Sequence, residues 1–475
     1  MSIVESIAKS STGDIGAQLN QGSAGHLRLD AEHAAELIGR LPAHDVLNAR
    51  ELLHWQGRER SKGPIAGQHP STVLHRNLAF VLKVTRLCNL RCRYCRSWAE
   101  GPGQVMSFPV MLEAIWQALS LPNARSVDFV LHGGEATLLK ARTLEKIVWL
   151  QQQLKRPHQR VRNCLQTNAV NLSDEWIELL KFLGIPVGIS LDGPPELNGE
   201  RIDKQGRPTS GRVAHTIQKL DEAGLLFGGL VVVTPLTAAF DIGAMFEYFV
   251  SIGLRNIDFL NVLPDNADLP RERACSHYIS FDRYVIFLCE AFRVWSSDYT
   301  DSLHISIFAD LLKAVAGAGG AKSCLWSGNC MTRIFTVEAN GDVGACDKFV
   351  GLSNFTYGNI LRASLDDLVA SSSLVTDMVA QQAKHRASTS TCEWKAVCHG
   401  GCPHDQFLDR LMRSADRQEC CGLSPLLNAM KAAIDRDRDL LSSLLGNNRP
   451  ISQGALHRQR PLQEVDNERV EYVAV

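Results

Sequence analysis

Apolar runs alternate with segments of helical period along the central part of the chain. Six short apolar runs predict strands at 78–84, 126–132, 160–167, 186–191, 225–233 and 256–262. Apolar residues recur at helical spacing over 109–120, 142–154, 173–183, 211–223, 240–252 and 279–296. Nearly continuous apolar strands that are each followed by a helix indicate a parallel sheet covered by helices. The pattern fits a curved partial barrel or an open doubly wound sheet, and periodicity alone does not separate the two.

The two ends of the chain differ from this central part. Residues 1–25 are rich in Ser, Gly and Gln and are predicted to be disordered, and residues 30–55 predict two helices divided by Pro42. After about residue 320, short segments, glycine turns and cysteines replace the long apolar runs. We expect metal to stabilise this region, because it has few apolar runs for a core. Residues 425–445 predict an amphipathic helix, and the polar tail from Gly446 predicts a solvated end.

Charge and composition exclude several classes of protein. The chain has 475 residues with 50 basic and 51 acidic side chains, so binding driven by charge to nucleic acid or to a membrane surface is not expected. The sequence has no run of ~18 apolar residues, which a membrane-spanning helix needs, and the polar N-terminus has no apolar signal segment. We therefore expect a cytoplasmic protein. The 14 cysteines of such a protein indicate metal or redox chemistry rather than disulfides.

Three cysteines lie on one loop directly after the first predicted strand. Cys88, Cys92 and Cys95 are spaced C-x3-C-x2-C, with Tyr94 immediately before the last cysteine. Three thiolates can hold three irons of a [4Fe–4S] cluster and leave the fourth iron open to a substrate. Structural zinc instead takes four ligands in a closed site, and no fourth ligand follows here at zinc spacing. The loop therefore favours an iron–sulfur cluster.

Three further polar motifs follow the next three predicted strands. They read H-G-G-E at 132–135, Q-T-N at 166–168 and S-L-D-G-P at 190–194. All lie where parallel strands end, which is where α/β folds place their sites. Together with the cysteine loop, these motifs resemble the radical S-adenosylmethionine (SAM) superfamily. The resemblance implies an α/β fold with a partial (β/α)6 barrel, a [4Fe–4S] cluster on the loop, and reductive cleavage of SAM to a 5′-deoxyadenosyl radical that abstracts hydrogen.

The resemblance also implies which residues bind SAM. The set consists of Gly133, Gly134, Glu135, Gln166, Asn168, Ser190, Asp192 and Arg201. Glu135 is expected to pair with the SAM ammonium. Ser190 and Arg201 are expected at the methionine carboxylate, although Arg201 is read equally well as a solvated loop arginine. His132 and Asn168 have the simpler interpretation of strand ends with satisfied hydrogen bonds, and Tyr94 that of aromatic packing.

The cysteines of the C-terminal region resemble the SPASM extension of radical SAM enzymes. This resemblance implies a first auxiliary [4Fe–4S] cluster on Cys324, Cys330, Cys346 and Cys402, and a second on Cys392, Cys398 and Cys420, with Cys421 as the alternative to Cys420. The family pattern has a further cysteine at the position of Thr389. The second cluster therefore has an open iron, has a substitute ligand or is unstable; we favour a cluster with an unusual ligand. Structural zinc in this region is the alternative.

Asp347 directly follows Cys346 and is the predicted catalytic residue. In sulfatase-maturating enzymes, the aspartate at this position is thought to take the proton as the substrate radical is oxidised. Such a base needs a tuned pKa. The alternative interpretation is a turn residue that follows a ligand.

The resemblance covers about residues 78–425 and suggests four parts. These are an N-terminal extension over 1–77, a radical SAM core over 78–300, a SPASM domain over 301–425, and a C-terminal helix and tail over 426–475. The favoured function is a maturase that cross-links a ribosomally made peptide, and the alternative is a sulfatase maturase that oxidises Cys or Ser to formylglycine. Ala136, Ala169, Thr389 and the extension depart from the latter. A non-catalytic, metal-stabilised binding module is the alternative of another class. The expected partners are a peptide or protein substrate and a reductant such as flavodoxin or ferredoxin, with no nucleic acid and no membrane.

Overall fold

The computed structural model describes residues 31–60, 74–263, 277–318, 320–321, 323–349, 355–412 and 422–437. The predictions made for residues 1–25, for Cys420 and Cys421, and for the tail from Gly446 lie outside these ranges. The described residues form ten strands and sixteen α-helices. The strands are β1 (Asn77–Thr85), β2 (Ser126–Gly133), β3 (Arg160–Thr167), β4 (Val187–Ser190), β5 (Leu226–Val233), β6 (Asn256–Asn261), β7 (His304–Ile305), β8 (Ile334–Val337), β9 (Asp342–Gly344) and β10 (Thr356–Asn359).

The helices lie between and after these strands. They are α1 (Ala31–Gly39), α2 (Ala43–Val46), α3 (Ala49–Arg60), α4 (Phe108–Ser120), α5 (Arg142–Leu154), α6 (Asp174–Leu183), α7 (Ser210–Glu222), α8 (Pro235–Ala239), α9 (Ile242–Ser251), α10 (Phe281–Asp298), α11 (Ser306–Val315), α12 (Leu365–Ala370), α13 (Ser373–Ser388), α14 (Lys395–Cys398), α15 (Pro403–Met412) and α16 (Ser424–Arg436). The six strands and six helices predicted for the central part are confirmed, with ends that agree to within two residues.

The order of the strands shows that the core is a partial barrel. Strands β1 to β6 neighbour one another in chain order, and every neighbouring pair is parallel. A doubly wound sheet would reverse this order at a switch point. Because crossover connections are right-handed, an order without reversal places the connecting helices on one face of the sheet, and the sheet curves around its other face. The barrel stays open, since β1 pairs with β8 and β6 pairs with β7.

The cysteine-rich region continues the barrel sheet beyond its first strand. Strand β8 pairs in parallel with β1, and β9 and β10 follow in antiparallel pairing. Packing fixes this junction, because the Phe80 ring of β1 lies 5.5 Å from the Phe335 ring of β8 and 5.8 Å from the Phe129 ring of β2. This edge had not been predicted. It brings the second group of cysteines beside the strand that leads into the first.

The N-terminal segment packs on the outer flank of the barrel. It forms three helices rather than the predicted two, and Pro42 separates α1 from α2. Helix α1 contacts α5 and α6, and α3 contacts α4. The Trp55 ring lies 5.0 Å from the Trp149 ring, whose Nε1 donates to the Leu41 carbonyl at 2.9 Å. The described part of the extension therefore covers helices rather than strand ends.

The predicted amphipathic C-terminal helix over 425–445 corresponds to α16, which packs against α10 and α11. Helix α16 ends at Arg436, and residues 438–445 of the prediction lie outside the described ranges. Its apolar face includes Leu426, Leu427 and Met430, which are fully buried. Within the described ranges, no helix has the length and apolar character needed to cross a membrane.

Candidate active site

The H-G-G-E segment holds the cysteine loop through its backbone. Gly134 N donates to the Thr85 carbonyl at 2.8 Å, and Glu135 N donates to the Leu87 carbonyl at 2.8 Å. The approach is close enough that a Cβ on Gly134 would lie 2.3 Å from the Leu87 oxygen. At Gly133, where φ is +146°, a Cβ would lie 1.9 Å from the Thr85 oxygen. Glycine is therefore required here by contact between the end of β2 and the start of the loop.

The three thiols of the loop lie in one buried environment. The pKa of Cys88 is raised to about 11 and that of Cys92 to about 12, mainly by burial and to a smaller extent by Cys95, because a thiolate there repels a second one. Backbone N–H groups of Leu90 and Ser97 donate to the sulfurs of Cys88 and Cys95, each at 3.3 Å. Buried thiols of this kind become thiolates when a cation neutralises them, so the donor set suits an iron–sulfur cluster.

A donor beside this loop is left for a bound group. Asn168 Nδ2 donates to Asn89 Oδ1 at 2.8 Å and approaches the Cys88 sulfur at 3.7 Å. The Nδ2 of Asn89 itself is buried and has no hydrogen-bond partner in the part of the chain that the structure describes. A buried donor of this kind calls for a ligand or a water, which fits SAM at this position.

The carboxylate of Glu135 joins the ends of two strands. It accepts hydrogen bonds from Thr137 N and Oγ1, from Thr167 Oγ1 and from Asn168 N, at 2.7–3.2 Å, and Glu135 is 1% exposed. A carboxylate has about four acceptor positions. The predicted pairing of Glu135 with the SAM ammonium would therefore share acceptors that already fix the ends of β2 and β3. Beside them, Gln166 Nε2 donates to Ser190 Oγ at 3.0 Å.

Arg201 lies under the cysteine loop rather than in solvent. Its Nη1 donates to Tyr94 Oη at 2.7 Å and lies 3.9 Å from Asp192 Oδ1, while Tyr94 Oη donates to Asp192 Oδ2. Arg201 is 7% exposed, so the interpretation as a solvated loop arginine is wrong. Tyr94 does more than pack, because its hydroxyl connects the loop to Asp192 and Arg201. Val232 N also donates to Asp192 at 3.1 Å, which anchors the group to β5.

The four cysteines assigned to the first auxiliary cluster surround one cavity. Cys324, Cys330, Cys346 and Cys402 line a cavity of about 170 Å³, which also reaches Tyr94 and Cys95 of the first cysteine loop. Among the described residues, His, Cys, Asp and Glu side chains are not grouped as a single metal ion would need. Burial raises the pKa of Cys324 to about 11 and of Cys330 to about 12, and raises those of Cys346 and Cys402 as well. This set too would need a cation to become thiolate.

Thr389, where the family pattern has a cysteine, lies at the end of a helix. Thr389 follows α13, and its Oγ1 donates to the His385 carbonyl at 3.0 Å. It is next to Cys392, whose N–H donates to the Thr389 carbonyl at 3.1 Å. Cys398, at the end of α14, is 2% exposed. Cys420 lies outside the described residues, so the structure does not describe the full second set.

Asp347 forms an ion pair with a lysine of the first strand. Lys83 is fully buried, and its Nζ contacts Asp347 Oδ1 and lies 3.0 Å from His132 Nδ1. Burial acts to raise the pKa of Asp347, but the charges around it, led by that of Lys83, and the hydrogen bond from Lys83 together outweigh burial and hold the pKa below its ordinary value. Burial and the Lys83 charge lower the pKa of His132 to about 4, so the ring is neutral at pH 7. Gly133 N donates to its Nδ1 at 2.7 Å, which places the ring proton on Nε2.

Sequence reasoning missed Lys83, and a signal for it existed. Lys83 is the charged residue in the apolar run L-A-F-V-L-K-V of the first predicted strand. A lysine in such a strand is buried, and buried lysines almost always have an acidic partner. The partner itself was not predictable, because Asp347 lies in the other part of the chain.

Comparison with known proteins agrees with this geometry. The model of the radical SAM superfamily matches residues 82–239, and that of the SPASM iron–sulfur cluster-binding domain matches residues 324–403. A serine-type anaerobic sulfatase-maturating enzyme of Klebsiella aerogenes is 30% identical over 320 residues, which are 66% of this chain and 77% of that protein. The chain belongs to the radical SAM superfamily. It is an enzyme with [4Fe–4S] clusters and SAM as cofactors.

Other relatives and solved structures have the same organisation. A serine-type anaerobic sulfatase-maturating enzyme of Bacteroides thetaiotaomicron is 27% identical over 69% of this chain and 82% of its own length. The structure titled "Native anSMEcpe with bound AdoMet and Cp18Cys peptide" has a TM-score of 0.66 at 24% identity, covering 78% of this chain and 99% of that one. Streptococcus suis SuiB bound to precursor peptide SuiA has a TM-score of 0.53 at 15% identity, covering 88% and 89%. Both structures share the fold, which confirms the predicted partial barrel with a SPASM domain.

Proposed function

We propose that this radical SAM enzyme removes hydrogen from a side chain of a ribosomally made peptide and forms a cross-link. The cavity that reaches both the first cysteine loop and the four cysteines of the first auxiliary set carries this proposal. A substrate bound between the two sets of cysteines would lie between a group that takes a hydrogen atom and one that takes an electron. SAM bound at a reduced [4Fe–4S] cluster supplies a 5′-deoxyadenosyl radical, which is the source of the hydrogen abstraction.

The residues of the chain have distinct proposed roles. Cys88, Cys92 and Cys95 would hold the SAM-binding cluster, and the amide of Asn89 would meet the bound SAM. The cysteines that surround the cavity would hold the first auxiliary cluster, while Cys392, Cys398 and Cys420 would hold the second. Asp347 is kept as a carboxylate by Lys83 and would receive the proton released when the substrate is oxidised. The same division of the chain into extension, core, SPASM domain and tail is proposed with the boundaries given above.

Two features of the chain support a peptide maturase over a sulfatase maturase. Thr389 lies where the family pattern has a cysteine ligand of the second auxiliary cluster. Its hydroxyl instead donates to the His385 carbonyl at the end of α13. The N-terminal helices add a surface on the flank of the barrel, next to α5 and α6. Ala169 stands where the sulfatase-maturase pattern has glycine. Its φ of +58° is a conformation that glycine adopts readily, so the backbone conformation at this position still suits the pattern. Peptides are bound in two of the similar structures, as their titles state.

Formylglycine formation is the second candidate, and the names of the curated relatives favour it. The relatives from Klebsiella, Bacteroides and Clostridium are anaerobic sulfatase-maturating enzymes of serine or cysteine type. Both candidates use the same cavity and the same cofactors. They differ in the product, because formylglycine has an aldehyde and a cross-link does not.

The test offers the reconstituted enzyme two kinds of peptide under anaerobic conditions with SAM and dithionite. One is a sulfatase-type peptide in cysteine and serine forms, and the other is the product of any short open reading frame that genome sequencing finds beside the gene. We expect loss of two hydrogens from the second peptide, without reaction with an aldehyde-trapping hydrazide, and transfer of deuterium from a labelled side chain into 5′-deoxyadenosine. Hydrazide-reactive sulfatase peptide would support the second candidate and contradict the first. Iron counting adds a test of the second auxiliary site, where about twelve irons per chain indicate three clusters and about eight indicate two.

A further inference from the structure

A buried lysine faces the cavity of the first auxiliary site. Lys348 lines the cavity together with Cys324, Cys330, Cys346 and Cys402. Its Nζ donates to Asn261 Oδ1 at 2.9 Å and to Asp405 Oδ1 and Oδ2 at 3.1 and 3.3 Å. The side chains of Lys348 and Asp405 are 13% and 9% exposed. This ion pair is therefore shielded from water, where it would be screened.

The network is built from the segments that carry the cysteines. Lys348 follows Cys346 by two residues, and Asp405 follows Cys402 by three. Asn261 ends β6 of the barrel, and its Nδ2 donates to Asp405 Oδ1 at 3.3 Å. Asp405 Oδ1 also lies 3.4 Å from His404 Nδ1. Several partners thus fix the Asp405 carboxylate, which in turn fixes the Lys348 ammonium at the cavity wall.

The charges of this pair act on the cysteines with opposite signs. The Lys348 ammonium lines the same cavity as the four cysteines, and the Asp405 carboxylate that accepts hydrogen bonds from it carries the opposite charge. A fixed cation that lies near four thiolates also lies near any group that the thiolates share. It will therefore favour the state of that group with the greater negative charge.

We propose that Lys348, held by Asp405 and Asn261, sets the reduction potential of the [4Fe–4S] cluster on Cys324, Cys330, Cys346 and Cys402. This inference rests on the cluster assignment of the proposed function. One-electron reduction adds one negative charge to the cluster, with an external reductant as the donor. Lys348 stabilises the reduced form and Asp405 destabilises it, so each side chain shifts the potential in its own direction. A cluster that accepts an electron from a substrate radical depends on that potential.

A purely structural ion pair is the alternative. In that case Lys348 and Asp405 would only attach the cysteine-rich region to β6, and removing either would loosen the site in the same way. The two roles differ in sign. Tuning predicts opposite shifts of the potential for the two variants, whereas attachment predicts parallel losses of cluster or no shift at all.

The experiment is an EPR-monitored redox titration of the full-length reconstituted enzyme. The first auxiliary signal is assigned as the one that Cys330→Ala removes. The variants are Lys348→Met, which removes the cation, Asp405→Asn, which removes the anion at nearly constant shape, and Lys348→Arg, which keeps the charge. The matched controls are Lys219→Met and Asp174→Asn, which break an ion pair of 2.7 Å at the protein surface.

We expect Lys348→Met to lower the midpoint potential of the first auxiliary cluster and Asp405→Asn to raise it. Lys348→Arg keeps the positive charge, so its midpoint potential should stay near that of the wild type. Both controls should leave the midpoint potential unchanged. Shifts in the same direction, unchanged potentials, or loss of the signal in both variants would overturn the tuning role. A wild-type enzyme without a signal that depends on Cys330 would instead overturn the cluster assignment, and with it the basis of this inference. Iron content, measured for every variant, separates these outcomes.

Discussion

Replacing Gly134 by alanine tests whether the H-G-G-E segment acts by holding the cysteine loop. The new methyl group would lie 2.3 Å from the Leu87 oxygen and 2.5 Å from the Arg86 oxygen. Both neighbours are backbone atoms, so no flexible side chain can move aside. The loop that carries Cys88 must shift instead. Gly134 has no positive φ, and the effect therefore comes from the contact alone.

The expected magnitude follows from the contacts that the shift disturbs. Forcing a methyl group into a packed site costs ~1–3 kcal/mol. The hydrogen bonds from Gly134 N to Thr85 and from Glu135 N to Leu87 would also be strained, at about 1 kcal/mol each. The loop conformation that holds the cluster should thus be destabilised by about 3–5 kcal/mol. At ~1.4 kcal/mol for each factor of ten, cluster retention should fall at least ~100-fold.

The assay follows iron release from the reconstituted enzyme during challenge with a chelator. Gly134→Ala should lose the iron of the first loop and form no 5′-deoxyadenosine. Gly211→Ala is the control, because a Cβ there meets nothing within 4 Å, and alanine in α7 should stabilise the helix by ~0.5–1 kcal/mol. Wild-type iron retention and SAM cleavage in Gly134→Ala would refute the role assigned to this contact.

Three further predictions concern charged groups of the core. Arg201→Met leaves the buried Asp192 carboxylate without its cation and should lower the stability of the apo-protein by ~3–5 kcal/mol, measured by urea unfolding; an unchanged midpoint would contradict the buried ion pair. Burial raises the pKa of Asp258 from 3.8 to about 7, so the wild type loses stability as the pH rises through that range. Asp258→Asn should then be more stable by ~4 kcal/mol at pH 8, with a difference that disappears near pH 4; a gap that does not depend on pH would contradict the shift. Asp347→Asn should keep its iron and its 5′-deoxyadenosine formation but lose at least ~100-fold in modified peptide, measured by mass spectrometry; full product formation would exclude Asp347 as the base.

Most elements of the barrel were predictable because they are long, and the four-residue β4 was predictable because it lies within the apolar run P-V-G-I-S-L at 186–191. The ends of β3 and α5 agree with the prediction residue for residue. Strands β7 to β10 have two to four residues each, too few to show a period. Their place in the sheet depends on contacts between distant parts of the chain, such as Phe80 with Phe335.

The site, like the fold, has a part that the sequence predicts and a part that it does not. The cysteine loop and the strand-end motifs are contiguous in the sequence, so their spacing and position carried the prediction. The partners of these residues come from elsewhere, as Lys83 does for Asp347 and Tyr94 does for Arg201. Only folding places Arg201 under the loop, and so its burial could not be inferred from a segment that is otherwise polar.

The most direct test of the account compares the wild-type enzyme with a variant in which Cys88, Cys92 and Cys95 are all alanine. Both are reconstituted anaerobically, their iron and sulfide are counted, and 5′-deoxyadenosine is measured after addition of SAM and dithionite. The account predicts that the variant binds about four fewer irons per chain and forms no 5′-deoxyadenosine. Equal iron content, or 5′-deoxyadenosine formed by the variant, would contradict the assignment of these cysteines to the cluster that cleaves SAM.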